Sequence, residues 1–162
     1  MINKAKMANS GIHADIDYWN NLTWPAAPNQ EDYAIFKQYC EGQVLLLGST
    51  PLLLPLCSEA WDLNPKISDP RIRNLNWFDL DQYFDTVILD GGLAFGKQFT
   101  KKLLPIILKN CGRFVARAFL KPNWPTKYAC YFPRAHEFDI PPQEHTVSEV
   151  YTFYIWNKNH QY

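Results

Sequence analysis

The sequence predicts an α/β chain built on a doubly wound sheet of about seven strands, five mainly parallel and the last two a C-terminal antiparallel hairpin. Three observations carry this. Val44-Leu45-Leu46-Leu47 is a purely apolar run that stops at Gly48, as a fully buried strand does. Phe84 to Asp90 is a β-branched apolar run ending in Asp90-Gly91-Gly92. After the fifth strand the alternation breaks, and no long helix fits before the aromatic run Val147 to Trp156, so the final two strands should pair antiparallel.

The bounds agree with one compact unit. A chain of 162 residues encloses a sizeable core, and residues 29–162 read as a single domain preceded by an aromatic arm over 1–28. In that arm Tyr18, Trp19 and Trp24 precede Pro25 and Pro28; the rings either staple the arm to the domain or roof a ligand pocket. Sixteen basic and sixteen acidic residues balance, which argues against nucleic acid or an anionic membrane as partner. Cys40, Cys57, Cys111 and Cys130 have neither Cys-x-x-Cys spacing nor a matching histidine ladder, so no metal is expected and the thiols read as reduced. Met1 to Ser10 is polar and no run is long enough to span a bilayer, which points to the cytoplasm.

In chain order, Asn29 caps a helix whose Ile35, Phe36, Tyr39 and Cys40 recur at helical spacing, with Gly42 ending it. Gly48 closes the first strand; Thr50 as N-cap and Pro51 at the first helical position then predict a helix at the strand's mouth, its free N–H groups and positive dipole end facing a ligand. Glu59-Ala60-Trp61 runs to Asp62, an acid placed to accept from ribose hydroxyls, and Leu63-Asn64-Pro65 turns the chain. Ile72 to Asn76 is a third strand. At its carboxyl end Asn76 can hydrogen-bond a base edge, and Trp77 or Phe78 either stacks on the base or belongs to the core. Gly91, Gly92 and Gly96 keep the backbone open beside Asp90. Helix Lys97 to Asn110 turns Phe99, Leu103, Leu104, Ile107 and Leu108 inward, Pro105 should kink it, and Cys111-Gly112 should end it. Arg113 to Phe119 is the fifth strand. Its Arg117, a guanidinium in a central strand, requires a partner, and Asp90 on the adjoining strand is one candidate. Glu137 to Ile140 and Val147 to Trp156 form the hairpin around Pro141-Pro142.

Together this order resembles the class I S-adenosylmethionine-dependent methyltransferases over about residues 29–157. It is most similar to a subset whose glycine motif reads Leu-Gly-x-Thr-Pro, as Leu47 to Pro51 does. That subset also matches Asp85-x-Val87-x-x-Asp90-Gly91 and Gly112-Arg113-Phe114-Val115-x-Arg117. The resemblance implies a Rossmann-like fold and S-adenosylmethionine as cofactor. Gly48, Ser49 and Thr50 would approach its methionine moiety, Asp62 would hold the ribose, and Leu63 and Trp77 would flank the adenine. Asn76 stands where the family has an acid, and Asp90, Gly91 and Gly92 would line the mouth. It further implies methyl transfer to a small-molecule acceptor entering beside Asp90 and Phe95. Asp90 is then the candidate catalytic group, with His13 and Tyr18 as remote alternatives. No unmistakable catalytic residue is expected, because a sulfonium is a strong leaving group and alignment supplies much of the rate.

The departures leave a second class open. The helix after Thr50 is short and interrupted by Pro55, the second glycine of the usual turn is absent, and no helix joins strands five and six to build an acceptor pocket. A non-catalytic module of the same fold with a binding or assembly role fits these features, and a homodimer could form through the aromatic last strand if it lay at a sheet edge. Gly-x-Gly-x-x-Gly, which a nicotinamide or flavin enzyme needs, is absent. So is a lysine after Gly48 for an NTPase, and Asp90-Gly91-Gly92-Leu93 stands where base-amino methyltransferases carry Asn/Asp-Pro-Pro-Tyr.

Overall fold

The computed structural model describes residues 29–90, 97–118, 138–148 and 151–157. The expectations for residues 1–28, Gly91, Gly92, Phe95 and Cys130, and for the side chain of Phe99, lie outside these.

Helix α1 (Gln30–Tyr39) starts where Asn29 predicts. The Asn29 side chain accepts from the Asp32 N–H and the Asp32 carboxylate accepts from the Asn29 N–H, both at 3.0 Å, so two of the helix's orphan donors are satisfied reciprocally. The turn out of α1 is fastened to a later strand. Gln43 N–H donates to Asp85 at 2.7 Å, and Thr86 Oγ1 accepts from Glu41 N–H at 3.0 Å while donating to the Glu41 carbonyl at 2.9 Å. Gly42 is required here, since its φ is +61° and the Asp85 side chain fills the space a Cβ would need.

Strand β1 (Val44–Leu47) is buried throughout and pairs in parallel with β2 (Glu59–Trp61) on one side and β4 (Phe84–Asp90) on the other. Strand β3 (Ile72–Arg73) flanks β2, and β5 (Cys111–Ala118) flanks β4, again in parallel. Strands β6 (Glu144–Val147) and β7 (Thr152–Asn157) complete an antiparallel end, giving the order β3-β2-β1-β4-β5-β7-β6. Helix α2 (Lys97–Lys109) connects β4 to β5, burying Leu103, Leu104 and Ile107, with Leu108 half-buried and Pro105 inside the helix.

Helix α1 runs antiparallel to β5 and covers the face that carries Arg113 and Arg117. Asp32 meets Arg117 at 3.1 Å, Phe36 meets Phe153 edge to face at 5.1 Å, and the Tyr39 carbonyl accepts from Arg113 at 3.0 Å. Full burial of Phe36 is worth about 1.5–3 kcal/mol, so this helix is held by packing as well as by its caps. On the opposite face Phe114 stacks on Trp156, and Phe138 meets both Tyr154 and Trp156 edge to face.

Five local expectations are corrected. No α-helix follows Thr50: its carbonyl accepts from Leu53 and Leu54 N–H, and Leu54–Leu56 is a single 3-10 turn. Pro55 is the reason, because it has no N–H to return to Pro51 and its ring crowds the preceding turn. The third strand stops at Arg73, and Asn76 instead caps the 3-10 turn Trp77–Asp79. Cys111 and Gly112 open β5 rather than ending α2. Residues Phe138 to Ile140 form a bend, and the strand lies beyond the proline pair at Glu144–Val147; Phe138 packs onto β7, and the Ile140 carbonyl takes the Trp156 indole N–H at 2.7 Å. Finally, Val147 to Trp156 is two strands, turned where Ser148 N–H donates to the Tyr151 carbonyl. The aromatic β7 lies between β5 and β6, so the sheet edge is β6.

Candidate functional site

The carboxyl ends of the parallel strands form one rim. Leu47 is in register with Trp61 and Leu89, and Asp90 with Arg117, so Asp62, Gly48, Asp90 and Arg117 follow one another across β2, β1, β4 and β5. Ligands of open α/β sheets bind at such a rim.

At β1 and β2 a single carbonyl organises the backbone. The Trp61 oxygen accepts from Gly48 N–H at 2.8 Å and from the Trp77 indole N–H at 2.7 Å. Gly48 takes φ +109°, and a Cβ there would meet nothing within 4 Å, so the strand leaves the sheet with open space above it. Ser49 Oγ donates to Asp62 Oδ2 at 2.6 Å, and Asn64 N–H donates to Asp62 Oδ1 at 2.8 Å. Each oxygen retains a further acceptor direction. Leu63 beside it is 39% exposed, whereas Trp77 is buried at 8% and pinned by its indole. Trp77 is thus a fixed floor to this end of the rim. Asn76 Oδ1 is committed to Phe78 N–H at 2.9 Å, leaving its amide N–H donors for anything outside.

At β4 and β5 the rim carries charge. Arg117, fully buried, donates from Nε to Asp90 Oδ1 and from an Nη to Asp32 Oδ2 at 3.1 Å, and its guanidinium lies 4.0 Å from the centre of the Tyr151 ring. Asp90 is therefore the partner that Arg117 requires, and its carboxyl turns toward β5. Burial pushes the Asp90 carboxyl up to about 6; Arg117 opposes the shift and the charge of Asp32 adds to it. Burial also raises the Tyr151 hydroxyl, with Arg117 opposing. Among the described residues, Asp32 Oδ1 is the buried side-chain oxygen with no hydrogen-bond partner.

The structure thus draws Gly48, Ser49, Asp62 and Leu63 together, places Thr50, Asn76 and Trp77 around them, and sets Asp90 apart in an ionic cluster. Asp32 and Tyr151 were not singled out from the sequence. Asp32 was legible only as a cap, although it stands one turn before Phe36 on the face that Phe36 buries. Among the described residues, no group of three or more His, Cys, Asp or Glu side chains is placed to hold a metal.

No protein-family model matches the chain, and no curated protein matches it in sequence. Solved structures do match. Magnesium protoporphyrin IX methyltransferase from Synechocystis, crystallised with bound S-adenosylmethionine, aligns over 96% of this chain and 97% of its own at a TM-score of 0.56 and 10% identity. This is the methyltransferase fold. An RNA methyltransferase from Salinibacter ruber in complex with S-adenosylhomocysteine aligns over 80% of this chain and 92% of its own, with a TM-score of 0.51 and 13% identity. At such identities the likeness is one of fold, and the methyltransferase fold accounts for the mainly parallel sheet with its antiparallel end.

Proposed function

We propose that the protein binds S-adenosylmethionine along the carboxyl rim of β1, β2 and β4 and methylates a small-molecule acceptor in the cytoplasm. The observation that carries this is the pairing of Ser49 with Asp62 beside the open, positive-φ Gly48, at the ligand-binding end of a methyltransferase fold.

The residues present fit the cofactor's nucleoside half. Asp62 is half-buried and oriented by Ser49 and Asn64, so its remaining lone pairs can accept the ribose hydroxyls without further ordering. Asn76 keeps its amide N–H donors available, which suits a ring nitrogen of a purine, and Leu63 and Trp77 supply apolar surface. Gly48 to Thr50 would hold the methionine moiety. Once bound, the cofactor supplies an electrophilic methyl on a sulfonium that leaves without acid assistance. The protein's part is then to orient both molecules and, where the acceptor must lose a proton, to receive it. Asp90 suits that proton-accepting role. Arg117 fixes its Oδ1, its Oδ2 has no partner among the described residues, and with its carboxyl held at about 6 it is ionised at neutral pH.

Isothermal titration with S-adenosylmethionine and S-adenosylhomocysteine, with NAD as control, tests the proposal. Saturable micromolar binding of both sulfur nucleosides is expected. Asp62→Ala should weaken it about tenfold or more, since a hydrogen bond to a charged group is worth about 1.5–3 kcal/mol. Unchanged affinity in that variant refutes the ribose assignment, and no binding by the folded wild type refutes the function.

One observation favours a second reading. The unit after β1 has a 3-10 turn in place of an α-helix, so no helix dipole faces the rim there. A non-catalytic module, self-associating as a homodimer or docking on a partner, would need no such site. Self-association in light scattering by a protein that binds neither nucleoside supports it; monomeric, nucleoside-binding behaviour excludes it.

A further inference from the structure

We propose that Arg71 is a positioning residue for nucleoside binding: its guanidinium holds the Leu54 carbonyl and so sets the Gly48 to Thr50 segment, in place of the α-helix that the connection between β1 and β2 lacks. The inference rests on the function proposed above. In an α-helix the Leu54 carbonyl would receive the N–H four residues on. That group, Ser58 N–H, goes instead to the Val44 carbonyl at 2.8 Å, where the chain enters the sheet. The Leu54 carbonyl accepts from Cys57 N–H at 3.1 Å and, at 2.7 Å, from Arg71 Nη1, a charged donor.

Arg71 is itself fixed before it reaches across. Asp69 Oδ1 accepts from its backbone N–H and its Nε, both at 2.9 Å, and Oδ2 accepts from Nη2 at 2.8 Å, so two parallel bonds set the plane of the guanidinium. The same bonds hold the Asp69 carboxyl down at about 2. The Arg71 carbonyl accepts from Ala60 N–H at 2.9 Å, which ties the residue to β2. From Leu54 the linkage runs on to the site. Leu53 N–H and Leu54 N–H donate to the Thr50 carbonyl at 3.0 and 3.2 Å, and the hydroxyl of the neighbouring Ser49 donates to Asp62. Both leucines are buried, so a shift at Leu54 has to be taken up along this segment. The Arg71 and Asp69 side chains are 36% and 18% exposed, and a surface pair of that kind adds little to global stability. Its effect is therefore expected in where Leu54 sits rather than in whether the chain folds.

Arg71→Met, Arg71→Lys and Arg73→Met are titrated with S-adenosylhomocysteine beside the wild type. Methionine keeps the stem and removes every donor, whereas lysine keeps one charged donor for the carbonyl and gives up the fork. Arg73 on β3, its side chain 53% exposed and paired with Glu59 at 2.7 Å, controls for a lost surface pair at the same edge of the sheet. Arg71→Met should weaken binding about tenfold, as loss of a hydrogen bond to a charged group does; Arg71→Lys should cost less than about threefold, and Arg73→Met nothing. Amide hydrogen exchange is read on the same proteins. In Arg71→Met the Leu53 and Leu54 amides should exchange about tenfold faster while Leu45 to Leu47 keep their wild-type rates, a local loosening that general destabilisation does not produce. Unchanged affinity in Arg71→Met overturns the proposal and leaves the proposed function standing, as does an equal loss in Arg71→Lys or Arg73→Met, or exchange that quickens throughout β1. A wild type that does not bind S-adenosylhomocysteine removes the proposed function and the positioning role with it. Should Arg71→Met not fold, Asp69→Asn decides, since it weakens the fork and keeps the guanidinium: weaker nucleoside binding supports the role, and unchanged binding overturns it.

Discussion

Replacing Arg117 with methionine probes how the rim is held to the helix above it. The guanidinium bonds Asp90, lies 3.1 Å from Asp32 Oδ2 and 4.0 Å from the centre of the Tyr151 ring, and is wholly enclosed. Methionine retains much of the stem but removes the guanidinium that the two carboxylates share. Breaking a buried ion pair from one side costs about 3–5 kcal/mol, a large part of a typical domain's roughly 5–15 kcal/mol. Urea denaturation at pH 7 should register that loss, with a fall in Tm of about 10 °C. The sign of the pH dependence is fixed. Without Arg117 the Asp90 carboxyl loses the cation that opposes its upward shift, so it favours its protonated form in the folded state more than in the unfolded chain and the variant should recover stability as pH is lowered from 7 toward 4.5. A loss below about 1 kcal/mol, or one that does not change over this range, would refute the reasoning.

Three further outcomes are expected. With its carboxyl raised from 3.8 to about 6, Asp90 binds its proton more tightly in the folded state, so its contribution is full below the unfolded value and is lost as pH rises through about 6. Asp90→Asn should remove a slope on the order of 2–3 kcal/mol between pH 4 and 7 in a denaturation series, and an unaltered slope contradicts the shift. Gly48→Ala forces a side chain onto φ +109°, which costs about 1–3 kcal/mol, and sets a methyl in the open space above the strand; S-adenosylhomocysteine binding should be abolished in titration, and wild-type affinity would show that nothing approaches there. Burial pushes the Cys40 thiol up to about 11, with Cys57 adding to it, so iodoacetamide at pH 8 should modify Cys40 far more slowly than free glutathione in peptide mass mapping; equal rates count against the burial.

What was legible in the sequence follows the range of the forces involved. Asn29, the apolar run Val44 to Leu47 and the run Phe84 to Asp90 declare themselves through their own neighbours, and they stand where the sequence puts them. Arg117 was legible by exclusion, since a central strand cannot keep an unpaired guanidinium. Its second partner was not, because Asp32 lies 85 residues away and looks locally like any capping acid. The hairpin misled for a related reason. Glu137 to Ile140 has strand composition, but Phe138 and Ile140 are engaged by Trp156 from across the fold, and no local pattern shows that. At the glycine turn two local signals conflict. Thr50-Pro51 starts a helix and Pro55 forbids it, and the veto wins because a missing donor cannot be supplied by packing.

The place of β7 has a consequence for synthesis. Of the described strands it follows all the others in the chain, yet it is an interior strand of the sheet, between β5 and β6. While residues 152–157 are still in the ribosome, β5 presents an unpaired and largely apolar margin, and β6 has been made but has no neighbour to join. A chain stopped at residue 150 would therefore lose two strands rather than one and carry a raw edge into solution, the state most prone to pair with another copy. Among the described strands the sheet is thus completed by insertion of β7 between β5 and β6 rather than by addition at an edge.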